Sequence, residues 1–208
     1  MRREEYVEDC SDIDDIIVFT SNGDMIVTKV DSKKFVAKNI LYVSVFKKRD
    51  SRTIYNMIYK EGKSGVSYIK RFNVTGVTRD KTYNLTSQNP KTKILHFSAN
   101  PNGEAEIVTI QLRQSGSIKK LKWDLDFADL AIKGRSVKGN IVSKYSVNKV
   151  IFKEKGLSTL KPRKIWFDDT VQRLNVDDRG DLLGEFKPDD DLLIVCLLYT
   201  SDAADECH

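Results

Sequence analysis

Asp15 Ile16 Ile17 Val18 Phe19 Thr20 Ser21 Asn22 Gly23 Asp24 Met25 Ile26 Val27 Thr28 Lys29 Val30 places two apolar, β-branched runs on either side of a short polar break. Neither run holds the 3.6-residue spacing of an amphipathic helix, and both have the length and composition of strands. Asn22 and Gly23 can supply the positive φ angles of a tight turn, so the stretch predicts a β-hairpin. The plan recurs downstream. Residues 53–60 lead through a turn at 61–65 into 66–72; residues 105–113 turn at Gln114, Ser115 and Gly116 and return over 117–123. Two weaker copies have 149–153 turning at 154–156, and 171–176 turning at 177–180.

The turn glycines Gly23, Gly65, Gly116, Gly156 and Gly180 lie 42, 51, 40 and 24 residues apart. A propeller blade of four strands takes about 40 to 50 residues and needs neighbours to cover its faces. The first three gaps therefore imply an array of blades; the last is too short and suits two turns within one blade. No recurring tryptophan–aspartate signature of the WD40 kind marks the units. The expectation is an all-β, propeller-like pinwheel of four-stranded blades, incomplete, with about four blades in residues 1–195.

With 208 residues, 40% hydrophobic and 31% charged, the chain is long enough to bury a core. No run approaches the roughly 18 apolar residues of a membrane span, and Met1 Arg2 Arg3 Glu4 Glu5 lacks the apolar region of a signal peptide. A soluble intracellular protein is expected. The string from Cys196 to Glu206 resembles one translated reading frame of a transposon-end sequencing adapter, so residues 196–208 are set aside as a non-native tail. The natural sequence is then expected to stop at Val195, inside what reads as a new strand, which makes the chain a fragment. Without the tail the net charge rises from +5 to +8 and Cys10 is the sole cysteine, which leaves no disulfide framework or zinc spacing.

Charge is distributed by position. Residues 1–28 carry 2 basic and 8 acidic side chains, residues 29–164 carry 30 and 10, and residues 165–208 carry 3 and 12. The basic middle fits a polyanion-binding surface, and it equally fits lysines that protect sheet edges.

The stretch from Asp15 to Lys29 resembles the blade-opening repeat in the C-terminal domain of the A subunits of bacterial type II topoisomerases, DNA gyrase and topoisomerase IV. Gly134 Arg135 Ser136 Val137 Lys138 Gly139 Asn140 Ile141 Val142 is similar to a second piece of that repeat, and residues 63–72 resemble another glycine turn followed by a basic strand. The resemblance covers most of residues 12–195. It implies a β-pinwheel whose basic rim binds, bends and wraps duplex DNA without sequence preference, in a cytoplasmic, nucleoid-associated bacterial enzyme. It also implies partners: a breakage-reunion domain and an ATPase B subunit in an A2B2 parent that uses Mg2+ and ATP, with no cofactor in this piece. The full gyrase box has no match, Lys133–Gly139 being at best a degenerate echo, so topoisomerase IV is favoured. The domain with the active-site tyrosine is absent from this stretch, and no tyrosine here inherits that role. The alternative is a propeller that binds an acidic protein partner.

Phosphate contacts need exposed cations along strand edges and loops. The candidates are Lys47, Lys48 and Arg49 in a loop, Lys70 and Arg71 on the strand after the second turn, Lys119, Lys120 and Lys122 on an edge strand over 118–123, and Arg135 and Lys138. No catalytic or metal-binding residue is expected. Asp124, Asp126 and Asp129 read as loop solvation rather than a glycosidase pair. His96 stands alone before the tail and so builds neither a triad nor a histidine-rich metal site. Trp123 and Trp166 read as packing between sheets, and Asp189, Asp190 and Asp191 as a polar turn.

Overall fold

The computed structural model of the chain describes residues 6–195 apart from Gln88, Ser115 and Ser117. The adapter-like segment from Cys196 onward lies outside the described residues, as do Ser115 of the third expected turn and Ser117 at the start of its expected return strand. Among the described residues the regular structure is strands and one short 3-10 turn, Phe127–Asp129. The first strands are β1 (Asp15–Thr20), β2 (Asp24–Lys29), β3 (Ile40–Phe46), β4 (Ile54–Lys60), β5 (Ser67–Asn73) and β6 (Thr82–Asn84). They are followed by β7 (Lys93–Asn100), β8 (Glu104–Leu112), β9 (Lys122–Asp126), β10 (Ile132–Gly134), β11 (Asn140–Ser143) and β12 (Val147–Ser158). Last come β13 (Arg163–Asp168), β14 (Arg173–Asn175) and β15 (Asp181–Phe186). No helix among the described residues is long and apolar enough to cross a membrane.

Four sheets result, an all-β arrangement compatible with a pinwheel of blades. The opening hairpin forms with Val18 opposite Ile26 and Phe19 opposite Met25. Its loop is Ser21, Asn22 and Gly23, and of the two residues expected to supply positive φ only Gly23 does so (89°). The sheets interleave along the chain. Sheet one runs β3-β1-β2-β6 and sheet two runs β10-β5-β4-β7, with β11 also on β5. Sheet three is β12-β8-β9 and sheet four β14-β13-β15. Thus β6 follows the second hairpin but completes the first sheet, and β10 and β11 follow the third hairpin but complete the second.

In the unit spanning residues 1–160, the second sheet is packed on both faces. Tyr55, Met57 and Tyr59 of β4 join Ile17, Phe19, Met25 and Val27 of the first sheet in one core; Ile58 and Ile69 join Val108, Ile110 and Phe127 in another. This explains the nearly unbroken apolar run of β4, since alternate residues serve opposite cores. Phe19 anchors the first core, its ring 4.8 Å from that of Tyr55 and 4.7 Å from that of Phe97.

Three expected turns differ. Gly156 is not a turn residue: β12 runs unbroken through it, and a β-carbon there would stand 2.8 Å from the Ala105 carbonyl oxygen of neighbouring β8. The return strand of the third hairpin starts at Lys122 rather than Ser117. In the unit from Lys161 onward, β14 and β15 both pair with β13 rather than with each other, although the turn at 177–180 is present.

Candidate nucleic-acid interface

Four loops at one end of the first two sheets bring exposed cations together. Lys47, Lys48 and Arg49 follow β3, Arg49 at positive φ (61°), and the Arg49 N–H donates to the Thr75 carbonyl at 3.0 Å. Arg79 pairs with buried Asp15 at 2.7 Å, and Lys48 approaches the same carboxylate at 3.7 Å. Lys34 pairs with Asp80 at 3.0 Å. Arg135 donates to the Gly76 carbonyl at 2.8 Å and lies 4.5 Å from the Tyr83 ring centroid, a ring that Lys81 also approaches at 5.4 Å. The side chains of Lys34, Lys48, Arg79, Lys81 and Arg135 are held by these contacts and keep further N–H donors for solvent or a ligand. Lys34, Arg79 and Lys81 are additions to the candidates read from sequence. The signal available was Tyr83 close behind Arg79 and Lys81, an aromatic ring on which cations settle.

Lys70 and Arg71 are corrections. Both are buried, at 4% and 2% exposure, and their donors are turned inward, so neither side chain faces a duplex. Lys70 shares the first-core face with Tyr68 and Phe72, and its ammonium donates to the carbonyls of Leu85 and Arg135 at 2.6 Å and of Val137 at 3.0 Å. Burial lowers its pKa to about 8. Arg71 points the other way, between the second and third sheets. It donates from Nε to Asn56 Oδ1 at 3.1 Å, from Nη1 to the Phe127 carbonyl at 3.2 Å and from Nη2 to the Gly103 carbonyl at 3.1 Å. Asn56 in turn donates to Glu106, which also holds Ser98 and, at 2.8 Å, His96. Burial raises the Glu106 pKa, but the bonds from His96, Ser98 and Asn56 outweigh it and hold the carboxyl below its ordinary value. A strand pattern shows which face a residue occupies but not whether another sheet covers that face.

Lys119 and Lys120 precede β9 instead of lying on it, and Lys122 opens the strand; all three are exposed. The first two, with Lys144, line an open groove of about 530 Å³ alongside Leu112, Trp123, Val142 and Tyr145. β9 is an edge strand of the third sheet, as expected. Lys138 is exposed but engaged, with its ammonium 3.4 Å from Glu61 and 4.5 Å from the Tyr68 ring centroid. Tyr68 and Glu61 raise its pKa. The hydroxyls of Ser64 and Ser87, with Lys138, lower the Glu61 pKa to about 2.

The carboxylates set aside from sequence have local structural uses. Asp124 takes bonds from Thr109 at 2.6 Å and Lys153 at 2.7 Å, Asp126 caps the 3-10 turn through the Ala128 N–H, and Asp190 closes a turn with the Lys187 N–H. Trp123 packs against the second core.

A family profile described as "Topoisomerase C-terminal domain, Bacteroidota" matches residues 2–155. The chain is also similar to the A subunit of DNA topoisomerase 4 from Borreliella burgdorferi, 27% identical over 150 residues, which are 72% of this chain and 22% of that protein. The chain thus spans about a fifth of the length of that relative.

Proposed function

The chain belongs to the family of topoisomerase C-terminal domains of Bacteroidota, and from that premise we propose that it binds duplex DNA without sequence preference as part of a type II topoisomerase. The observation that carries this is the convergence of four loops at one end of the first two sheets, presenting Lys34, Lys48, Arg49, Arg79, Lys81 and Arg135. Lys47, Lys119, Lys120, Lys122 and Lys138 supplement them. Such cations neutralise phosphates and release condensed counterions, which makes affinity steeply salt-dependent and indifferent to base sequence. Bending a duplex across this surface costs about 1–6 kcal/mol, which many dispersed contacts offset, so no single lysine dominates.

Residues 1–195 form part of a β-pinwheel in which each of the four sheets is a blade. The parent is of the topoisomerase IV kind rather than gyrase, a reading supported by the likeness to the Borreliella protein. Its strand passage, driven by ATP and Mg2+ together with a breakage-reunion domain and a separate ATPase chain, belongs to sequence outside this chain. The pinwheel presents and wraps the DNA on which that machinery acts, in the bacterial cytoplasm at the nucleoid.

The test is a gel shift of random-sequence duplex over a range of salt, with a Lys119→Glu, Lys120→Glu, Lys122→Glu variant beside the unaltered chain. Binding should fall linearly on a log–log salt plot, and the variant should reduce the slope by about 2 to 3. A folded chain that binds no duplex at low salt, yet captures an acidic polypeptide, would overturn the proposal in favour of a protein-interaction propeller.

A further inference from the structure

The outer edge of β5 is covered by two short strands from far downstream. β11 pairs antiparallel with its first half, from Ser67 to Ile69, and β10 pairs in parallel with Arg71, Phe72 and Asn73. Lys70 sits at the break between them, where the connecting strap of residues 135–139 crosses. Its ammonium has three N–H donors and three carbonyl acceptors, two of them, Arg135 and Val137, on the strap itself. The ammonium also stands 4.8 Å from the centroid of the Phe72 ring. The strap is pinned again one residue on, where the Tyr59 hydroxyl donates to the Lys138 carbonyl at 2.8 Å. Its last residue, Gly139, is pressed against β5 at a φ of 97°, a β-carbon there falling 2.4 Å from the Ile69 carbonyl oxygen.

These three pins act on strap backbone, and they place the strap's two cations, half-buried Arg135 against Gly76 and Tyr83 and exposed Lys138 beside Glu61. No carboxylate bonds the buried ammonium among its hydrogen-bond partners, so its desolvation is offset by carbonyl dipoles and by the ring beneath it. A methylene chain of the same length would fill the space without that cost. What the charge adds is a three-way tie between the strap, the Leu85 segment and β5.

We propose that Lys70 is a positioning residue: its buried ammonium fixes the strap backbone and thereby sets where Arg135 and Lys138 stand for the phosphates of a duplex. The proposal rests on the duplex-binding reading above. Replacement by arginine does not restore the tie, because a planar fork cannot meet three carbonyls that converge on one tetrahedral centre.

The test is a double-mutant cycle on the 208-residue chain, with duplex affinity measured at three salt concentrations. One arm is Lys70→Met; the other is Arg135→Ala with Lys138→Ala. Lys70→Met alone should weaken duplex binding about 3- to 10-fold and reduce the salt slope by about 1 to 2. In the background lacking Arg135 and Lys138 it should change neither quantity, since the side chains it positions are gone. Lys70→Arg should behave like Lys70→Met. Equal losses in both backgrounds, or unaltered binding by a folded Lys70→Met chain, would overturn the proposal. Hydrogen exchange of amides 135–139 reads the tie without DNA: faster exchange is expected in Lys70→Met, and unchanged exchange would refute the tie. A starting chain that binds no duplex refutes the DNA reading, while exchange still decides whether Lys70 holds the strap. If Lys70→Met does not fold, Lys70→Gln, whose amide can donate to at most two of the three carbonyls, takes its place with the same expectations.

Discussion

Replacing Arg71 by methionine keeps an unbranched chain of similar reach and removes the guanidinium that ties the second sheet to the third. Three acceptors lose their donor: Asn56 Oδ1 and the carbonyls of Phe127 and Gly103. A buried acceptor left unpaired costs about 1–3 kcal/mol, and the lower value suits carbonyls at a loop that can relax toward water. The gross loss is therefore about 3–5 kcal/mol. Part returns, because burial lowers the Arg71 pKa, meaning the charge is disfavoured where it lies, and methionine removes that penalty. The net expectation is about 2–3 kcal/mol, a large share of the 5–15 kcal/mol that holds an ordinary domain together. Urea denaturation of a Trp166→Phe background, followed by the fluorescence of Trp123 in β9, reports the third sheet directly. With a slope near 2 kcal/mol per molar urea the midpoint should fall by about 1–1.5 M. A shift below about 0.3 M, or a rise, would show that the three bonds are replaceable and would refute the tie between sheets.

Gly139→Ala puts a side chain where φ is 97° and the Ile69 carbonyl blocks it, so a loss of about 1–3 kcal/mol and faster hydrogen exchange across β11 and the facing part of β5 are expected. Gly76→Ala, with nothing within 4 Å of the added carbon, is the matched control and should be nearly neutral. The Glu61 carboxyl is held near a pKa of about 2, against an ordinary 4.5, chiefly by Ser64 and Ser87. A depressed folded-state pKa contributes stability above the unfolded value that is lost as pH falls toward the folded one. The melting-temperature gap between the chain and Glu61→Gln should accordingly be full at pH 6 and narrow steadily from about pH 4.5 toward pH 2. A gap independent of pH would refute the assignment.

The first hairpins were legible because their turns are local and their strands alternate within a few residues. The interleaving was not: nothing in Thr82, Tyr83 and Asn84 shows that they pair with β2, which lies beyond the whole second hairpin. Gly156 misled for the same kind of reason. Glu154, Lys155 and Gly156 read as a turn, but the glycine's missing side chain admits the backbone of β8. At the interface, charge pointed to Lys47, Lys48, Arg49 and Arg135 but not to Lys34, Arg79 and Lys81, and Lys70 and Arg71 were misplaced because an edge strand and a doubly packed strand carry the same alternation. A lysine and an arginine in adjacent positions of an apolar strand marked the place where buried cations tie the sheets together.

The borrowed strands on β5 set a timetable for synthesis. Until residue 143 has left the ribosome, β5 is an open edge carrying unpaired N–H and C=O groups, and 70 residues of chain separate Asn73 from that completion. Open edges recruit other strands, so chains interrupted between the third hairpin and β11 are the species most prone to aggregate or to exchange strands with a neighbour.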